Sequence, residues 1–216
     1  MAEYSPESRR PIADIFRTTA TMTVRLCVRL EIHPDVISYA SILAAAGAGA
    51  CFWWAQELPL LLLLAPILCL VRLWLNMLDG MVALASGKAS RRGEILNDLP
   101  DRVSDVLIFV GVGYSGLAHV ALGYWAAILA LLTAYVGTLG QAVGARREFG
   151  GLMSKPWRMV IVMIGAVLAY FLFQREIPLP AGLTILDVAC IIVIAGCLQT
   201  IFVRLRRICR HLNEQD

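Results

Sequence analysis

Between Val36 and Val203 the chain runs through long apolar stretches separated by short connections that hold most of its charge. That pattern leaves few folds open. A hydrocarbon core about 30 Å thick is crossed by a helix of about 20 apolar residues. With no water in the core, only helices or closed barrels satisfy their own backbone. No segment alternates in the ten-residue manner of a barrel strand, and the leucine run Leu60 to Leu64 favours helices. The chain is 59% hydrophobic and 16% charged, against about 45–50% and about 25% in soluble domains. The reading is an all-α integral membrane protein, a bundle of six transmembrane helices with an N-terminal interfacial amphipathic helix.

Spans are expected near 36–56, 58–83, 99–120, 123–144, 159–174 and 181–203. Three segments follow: an N-terminal segment over 1–34, a membrane domain over 35–204, and a basic tail over 205–216. Residues 1–30 contain Arg9, Arg10, Arg17, Arg25 and Arg29 and no apolar core, which is not the pattern of a cleavable signal peptide. Ile12, Ile15, Phe16 and Thr19, then Met22, Leu26 and Leu30, recur at helical offsets with the arginines elsewhere, as suits a helix lying in the interface. Pro34 ends that helix, and Asp35 or Ser38 is positioned to cap the next.

Lys and Arg mark one side. The N-terminal segment, the 84–98 loop with Lys88, Arg91 and Arg92, the 145–158 loop with Arg146, Arg147, Lys155 and Arg158, and the tail are all basic. The connections near Gln56 and Ala121 carry no Lys or Arg, and that near Arg175 sets it beside Glu176. Both termini and the basic loops therefore face the cytoplasm. The net charge of +3 is explained by anionic headgroups and calls for no nucleic acid. Cys27, Cys51, Cys69, Cys190, Cys197 and Cys209 form no CxxC pair and read as small buried hydrophobes. Gly47 and Gly49, in an alanine-rich stretch, suit close helix contact. Trp53, Trp54 and Trp125 fall at the outer ends of spans, where tryptophan anchors.

Against this background residues 76 to 101 stand out. Asn76 and Asp79 are three apart and Asn97 and Asp101 four apart, so each pair lies on one helix face at a membrane edge. Polar groups are costly there and point to function. Gly80 and Gly93 leave room for a backbone or ligand to approach.

The pattern resembles the CDP-alcohol phosphotransferase family, whose signature is DxxDGxxAR, eight residues, then GxxxDxxxD. It is matched by Asn76, Asp79, Gly80, Ala83, Leu84, Gly93, Asn97 and Asp101 with every spacing kept. Two aspartates are asparagine and the arginine is leucine.

The resemblance implies transfer of a phosphatidyl group from a CDP-alcohol, CDP-diacylglycerol in the small bacterial branch, to a polar alcohol with release of CMP. It places the protein in a bacterial inner membrane and is compatible with a homodimer. It implies Mg²⁺ or Mn²⁺ held by Asn76, Asp79, Asn97 and Asp101, with Asp101 also the general base and Asp105, one turn on, compensating the lost charge. Whether one or two ions bind stays open. Asp79, Gly80, Ala83 and Gly93 would face the nucleotide. Arg146, Lys155 and Arg158 would take the acceptor or lipid phosphate, or serve only as topology determinants. Arg72, four residues before Asn76, needs a carboxylate, and Asp105 and Asp187 are its candidates. The alternatives are a CDP-aminoalcohol:diacylglycerol transferase and a catalytically silent CDP-lipid-binding relative.

Overall fold

Seven helices account for nearly all of the described residues, which in this computed structural model are 21–88, 91–145, 148–173 and 182–214. They are α1 (21–29), α2 (Pro34–Trp53), α3 (Leu61–Ala85), α4 (Arg91–Gly113), α5 (Val120–Ala142), α6 (Lys155–Phe173) and α7 (Ile185–Asn213). The proposed stripe Ile12, Ile15, Phe16 and Thr19, together with Arg146 and Arg147, lies outside the described residues.

Five helices, α2, α3, α5, α6 and α7, are long and apolar enough to cross a membrane. The protein is a multi-pass membrane protein. The fourth helix differs because Asp98, Asp101, Arg102 and Asp105 lie in its first two thirds, leaving an apolar stretch only from Val106. It also ends earlier than expected, at Gly113, because the chain turns through Ser115, whose Oγ accepts from the amide of Leu117, and Gly116 at φ +69°. The connection to α5 thus lies at 114–119, ahead of Ala121.

The six long helices close a ring in the order α2, α3, α6, α7, α5, α4, and α3 and α4 also touch. Glycine makes one contact in that ring possible. A Cβ on Gly49 would stand 2.5 Å from the carbonyl oxygen of Leu107, and one on Gly111 would stand 2.7 Å from the Cα of Gly49. The α2–α4 backbones therefore touch, as small residues allow in membrane bundles. Gly47 meets only Leu68, on α3.

The α2 N-terminus is capped by His33, whose Nδ1 accepts from the Asp35 amide at 3.4 Å. Neither Asp35 nor Ser38 caps it, since Pro34 holds the first helical position and Ser38 already lies a turn inside. Helix α1 buries Val24 and Cys27 against Ile37, Leu78 and Val82, while Met22, Leu26 and Leu30 face outward. The last helix does not stop near 203. It continues through Asn213 because Ile208 and Leu212 extend the apolar face onto Val136 and Ala145.

Trp53 stacks on Tyr114 with centroids 4.5 Å apart, and Tyr114 meets Tyr124 edge-on. Trp54 and Trp125 are also exposed near that end. This aromatic group lies at the end of the ring away from Asn76 and Asp101. Five cysteines are buried, Cys209 is exposed, and all six are free.

Candidate active site

Arg72, Asn76 and Asp79 follow one another at offsets of four and three along α3, and Asn97, Asp101 and Asp105 at offsets of four along α4. The two stripes face each other, and Lys155 and Arg158 enter from the first turn of α6. Asn76 donates from Nδ2 to Oδ1 of Asp101 at 2.6 Å. The Lys155 ammonium touches both Oδ1 of Asn76 and Oδ2 of Asp101. Thus three helices are joined through one carboxylate and one amide.

Asp79, 2% exposed, is oriented from two directions. Its Oδ2 accepts from the hydroxyl of Ser38 on α2 at 2.5 Å and its Oδ1 from the amide of Gly80 at 2.6 Å. Ser38 was legible only as a helix-start residue. Its part in the site depends on α2 packing against α3, for which local sequence holds no signal. Asn97 faces Gly80 across the gap, its Nδ2 3.7 Å from where a Cβ on that glycine would stand.

Below this layer is a buried triad. Arg72, fully buried, donates through Nη2 to Oδ1 of Asp105 at 3.2 Å and to the Asp101 carbonyl at 3.1 Å, and the same nitrogen is 3.4 Å from Oδ1 of Asp101. Arg158, 2% exposed, donates to Oδ2 of Asp105 at 2.6 Å and to the Met153 carbonyl at 3.2 Å. Both oxygens of Asp105 are therefore engaged by guanidinium groups. Of the two parts expected of Asp105, the structure shows the pairing with Arg72, and Arg158, expected to take an acceptor or lipid phosphate, is instead paired with the same carboxylate. The reason is desolvation, since neither a carboxylate nor a guanidinium can stay buried unpaired. Arg72 Nε and Nη1, Arg158 Nε and Ser104 Oγ are buried without a partner among the described residues, so donor capacity remains here.

Asp187, the other candidate for Arg72, lies at the opposite end, where it accepts from the amide and ring of His119 at 2.7 and 2.8 Å and forms a capping box with Thr184. The loop before α6 is pinned to α7. The Met153 amide donates to Thr200 Oγ1 at 2.9 Å, and Arg204, missed in the sequence, donates to the carbonyls of Gly150 and Thr133 at 3.0 and 2.6 Å. Gly151, at φ +104°, lets the loop lie against Thr200, where a Cβ would collide. Pinned in this way, the loop delivers Lys155 to Asp101. Lys88 and Leu84 are exposed, on the outer side of this arrangement.

No protein-family model matches the chain. Curated relatives do. Phosphatidylinositol phosphate synthase of Mycobacterium tuberculosis is 30% identical over 206 residues, covering 87% of each chain. The chain belongs to the CDP-alcohol phosphotransferase family. Inner membrane protein YnbA of Escherichia coli is 27% identical over 150 residues, 69% of this chain and 74% of that one. The crystal structure of the M. tuberculosis synthase with manganese and citrate superposes with a TM-score of 0.72 at 24% identity, covering 88% of both chains. A second structure of that synthase has CDP-DAG bound, also with a TM-score of 0.72. The fold is shared with those structures, and the chain is a membrane-embedded transferase by its family.

Proposed function

We propose that the chain transfers a phosphatidyl group from CDP-diacylglycerol to the hydroxyl of a polar alcohol and releases CMP. The observation that carries this reading is the convergence of Asn76, Asp79 and Asp101 from α3 and α4, with Lys155 from α6, at one end of the bundle. The CDP-DAG complex of the mycobacterial neighbour supports the donor. Relatives named for phosphatidylinositol phosphate and archaetidylinositol phosphate synthesis support a phosphorylated polyol as acceptor.

The reaction forms a bond between the acceptor oxygen and the phosphorus that bears the diacylglycerol, and breaks the bond from that phosphorus to the oxygen of CMP. Asp101 takes the hydroxyl proton. Its contacts with Arg72, Asn76 and Lys155 hold its carboxylate in place. Lys155, with Arg146, would take the acceptor or lipid phosphate. Gly80, Ala83 and Gly93 supply the bare surface for the nucleotide.

A divalent ion fits the donor set. Among the described residues no three His, Cys, Asp or Glu converge, so the two carboxylates need the amide oxygens of Asn76 and Asn97 to complete a site. Asp79, Asp101, Asn76 and Asn97 are all hard oxygen donors suited to Mg²⁺ or Mn²⁺. The manganese in the mycobacterial neighbour supports this choice. When bound, such an ion neutralises diphosphate charge. Asp105 stands outside the set because the buried guanidinium groups of Arg72 and Arg158 hold one of its oxygens each.

In the bilayer, α4 adds a further span, third in chain order, to the other five, its charged part packed among its neighbours at the cytoplasmic edge of a bacterial inner membrane. Helix α1 lies in the interface with Met22, Leu26 and Leu30 toward lipid. The test is CMP release from CDP-diacylglycerol by purified protein, with inositol phosphate, glycerol phosphate and their unphosphorylated counterparts as acceptors. Release with a phosphorylated polyol is expected. Retained CDP-lipid binding without CMP release from any acceptor would instead favour a silent relative.

A further inference from the structure

We propose that the ammonium of Lys155 stands in for one of the two divalent ions that a four-carboxylate signature can hold, so that this chain binds a single divalent ion. The inference rests on the reading of Asp79 and Asp101 as ligands, and three observations carry it.

The first is charge. Asp79, Asp101 and Asp105 supply three carboxylates, and Arg72, Lys155 and Arg158 supply three cations. These side chains are buried or nearly so, and their charges cancel. One dication leaves this cluster with a charge that a diphosphate substrate can neutralise. A second would leave a surplus of positive charge in a low-dielectric setting, where it is poorly screened.

The second is position. The ammonium of Lys155 lies between Oδ1 of Asn76 and Oδ2 of Asp101, the first and last positions of the signature and two of the residues that would hold an ion. A Lys on a flexible stem brings a compact point charge, a reasonable substitute for part of a metal's electrostatic role.

The third is the chemistry of Asn76. Its Nδ2 donates to Asp101 while one lone pair of its Oδ1 accepts from Lys155, which leaves the other lone pair for a single ion. An aspartate has no donor for Asp101, and two facing carboxylates need a cation between them. Asparagine at 76 and lysine at 155 therefore form one compensated unit.

The experiment counts metal without turnover. Full-length protein, purified in detergent, is titrated with Mn²⁺ alone, with bound ion measured by elemental analysis and by the electron paramagnetic resonance of the free ion. Wild type and Lys155→Arg are expected to bind one Mn²⁺ per chain, with no spin coupling between ions. Lys155→Met should bind its ion about tenfold more tightly or better, since a like charge has left the site. The combination Asn76→Asp, Asn97→Asp and Lys155→Met should bind two ions with a coupled spectrum. Two coupled ions, or none, in wild type would overturn the proposal whatever the variants do. CMP release is measured separately. Its absence would count against the proposed transferase reaction and leave the ion count standing.

Discussion

Asn76 Nδ2 lies 2.6 Å from Oδ1 of Asp101, joining the first and last positions of the signature across α3 and α4. The amide thus does more than weaken a metal site. It links two helices that otherwise meet little along their length, directly beside the residue assigned as base.

Replacing that amide sets two opposite effects against each other. Asn76→Asp should raise affinity for Mg²⁺ or Mn²⁺ by restoring formal charge. It should also lower thermal stability in chelator, because it exchanges a hydrogen bond for facing carboxylates. Calorimetric titration and unfolding in EDTA check both, and an unchanged affinity would remove Asn76 from the ligand set.

Asp101→Asn should reduce CMP release by about 10² to 10⁴-fold, the usual worth of a general base. CDP-lipid binding should persist, since the isosteric amide keeps an oxygen toward Arg72. Near-normal turnover in this variant would refute the assignment.

Ser38→Ala removes the 2.5 Å hydrogen bond that orients Asp79. Loss of such an outer partner typically weakens metal affinity by about 10- to 100-fold. The fall should appear in Mn²⁺ titration with little change in thermal stability. An affinity equal to wild type would make Ser38 a packing residue only.

Asp105→Leu leaves Arg158 without its carboxylate and Arg72 with only the longer contact to Asp101. Breaking a buried ion cluster by removing one partner costs about 3–5 kcal/mol. The variant should be markedly less stable in detergent than Asp98→Asn, whose partner Arg102 lies in a more exposed pair. Equal stability of the two would mean that the triad is hydrated in the working protein.

Gly49→Ala tests the ring closure. Its methyl would meet the Leu107 carbonyl at 2.5 Å, so α2 and α4 must separate, at about 1–3 kcal/mol. Gly47→Ala meets only the Leu68 side chain and should be milder. A reversed order in thermal stability would argue against the α2–α4 contact.

The linear chain determined whatever depends on local pattern. Apolar runs such as Leu60 to Leu64 specify membrane helices because no other open structure satisfies its backbone in lipid. The offsets of Asn76 and Asp79, and of Asn97 and Asp101, placed each pair on one face because helical periodicity is a property of the backbone. The retained spacing identified the family. Only the tertiary structure decided what those faces meet. Lys155 and Arg158 are three residues apart and both cationic, yet one touches Asn76 and Asp101 while the other is sealed against Asp105. Asp105 and Asp187 are both candidates for Arg72 in the sequence, and only the packing sets Asp105 beside it and takes Asp187 to the far end. Ion pairing requires a partner within a few ångströms, and residues 33 or 79 positions apart come within that distance only after the helices close their ring.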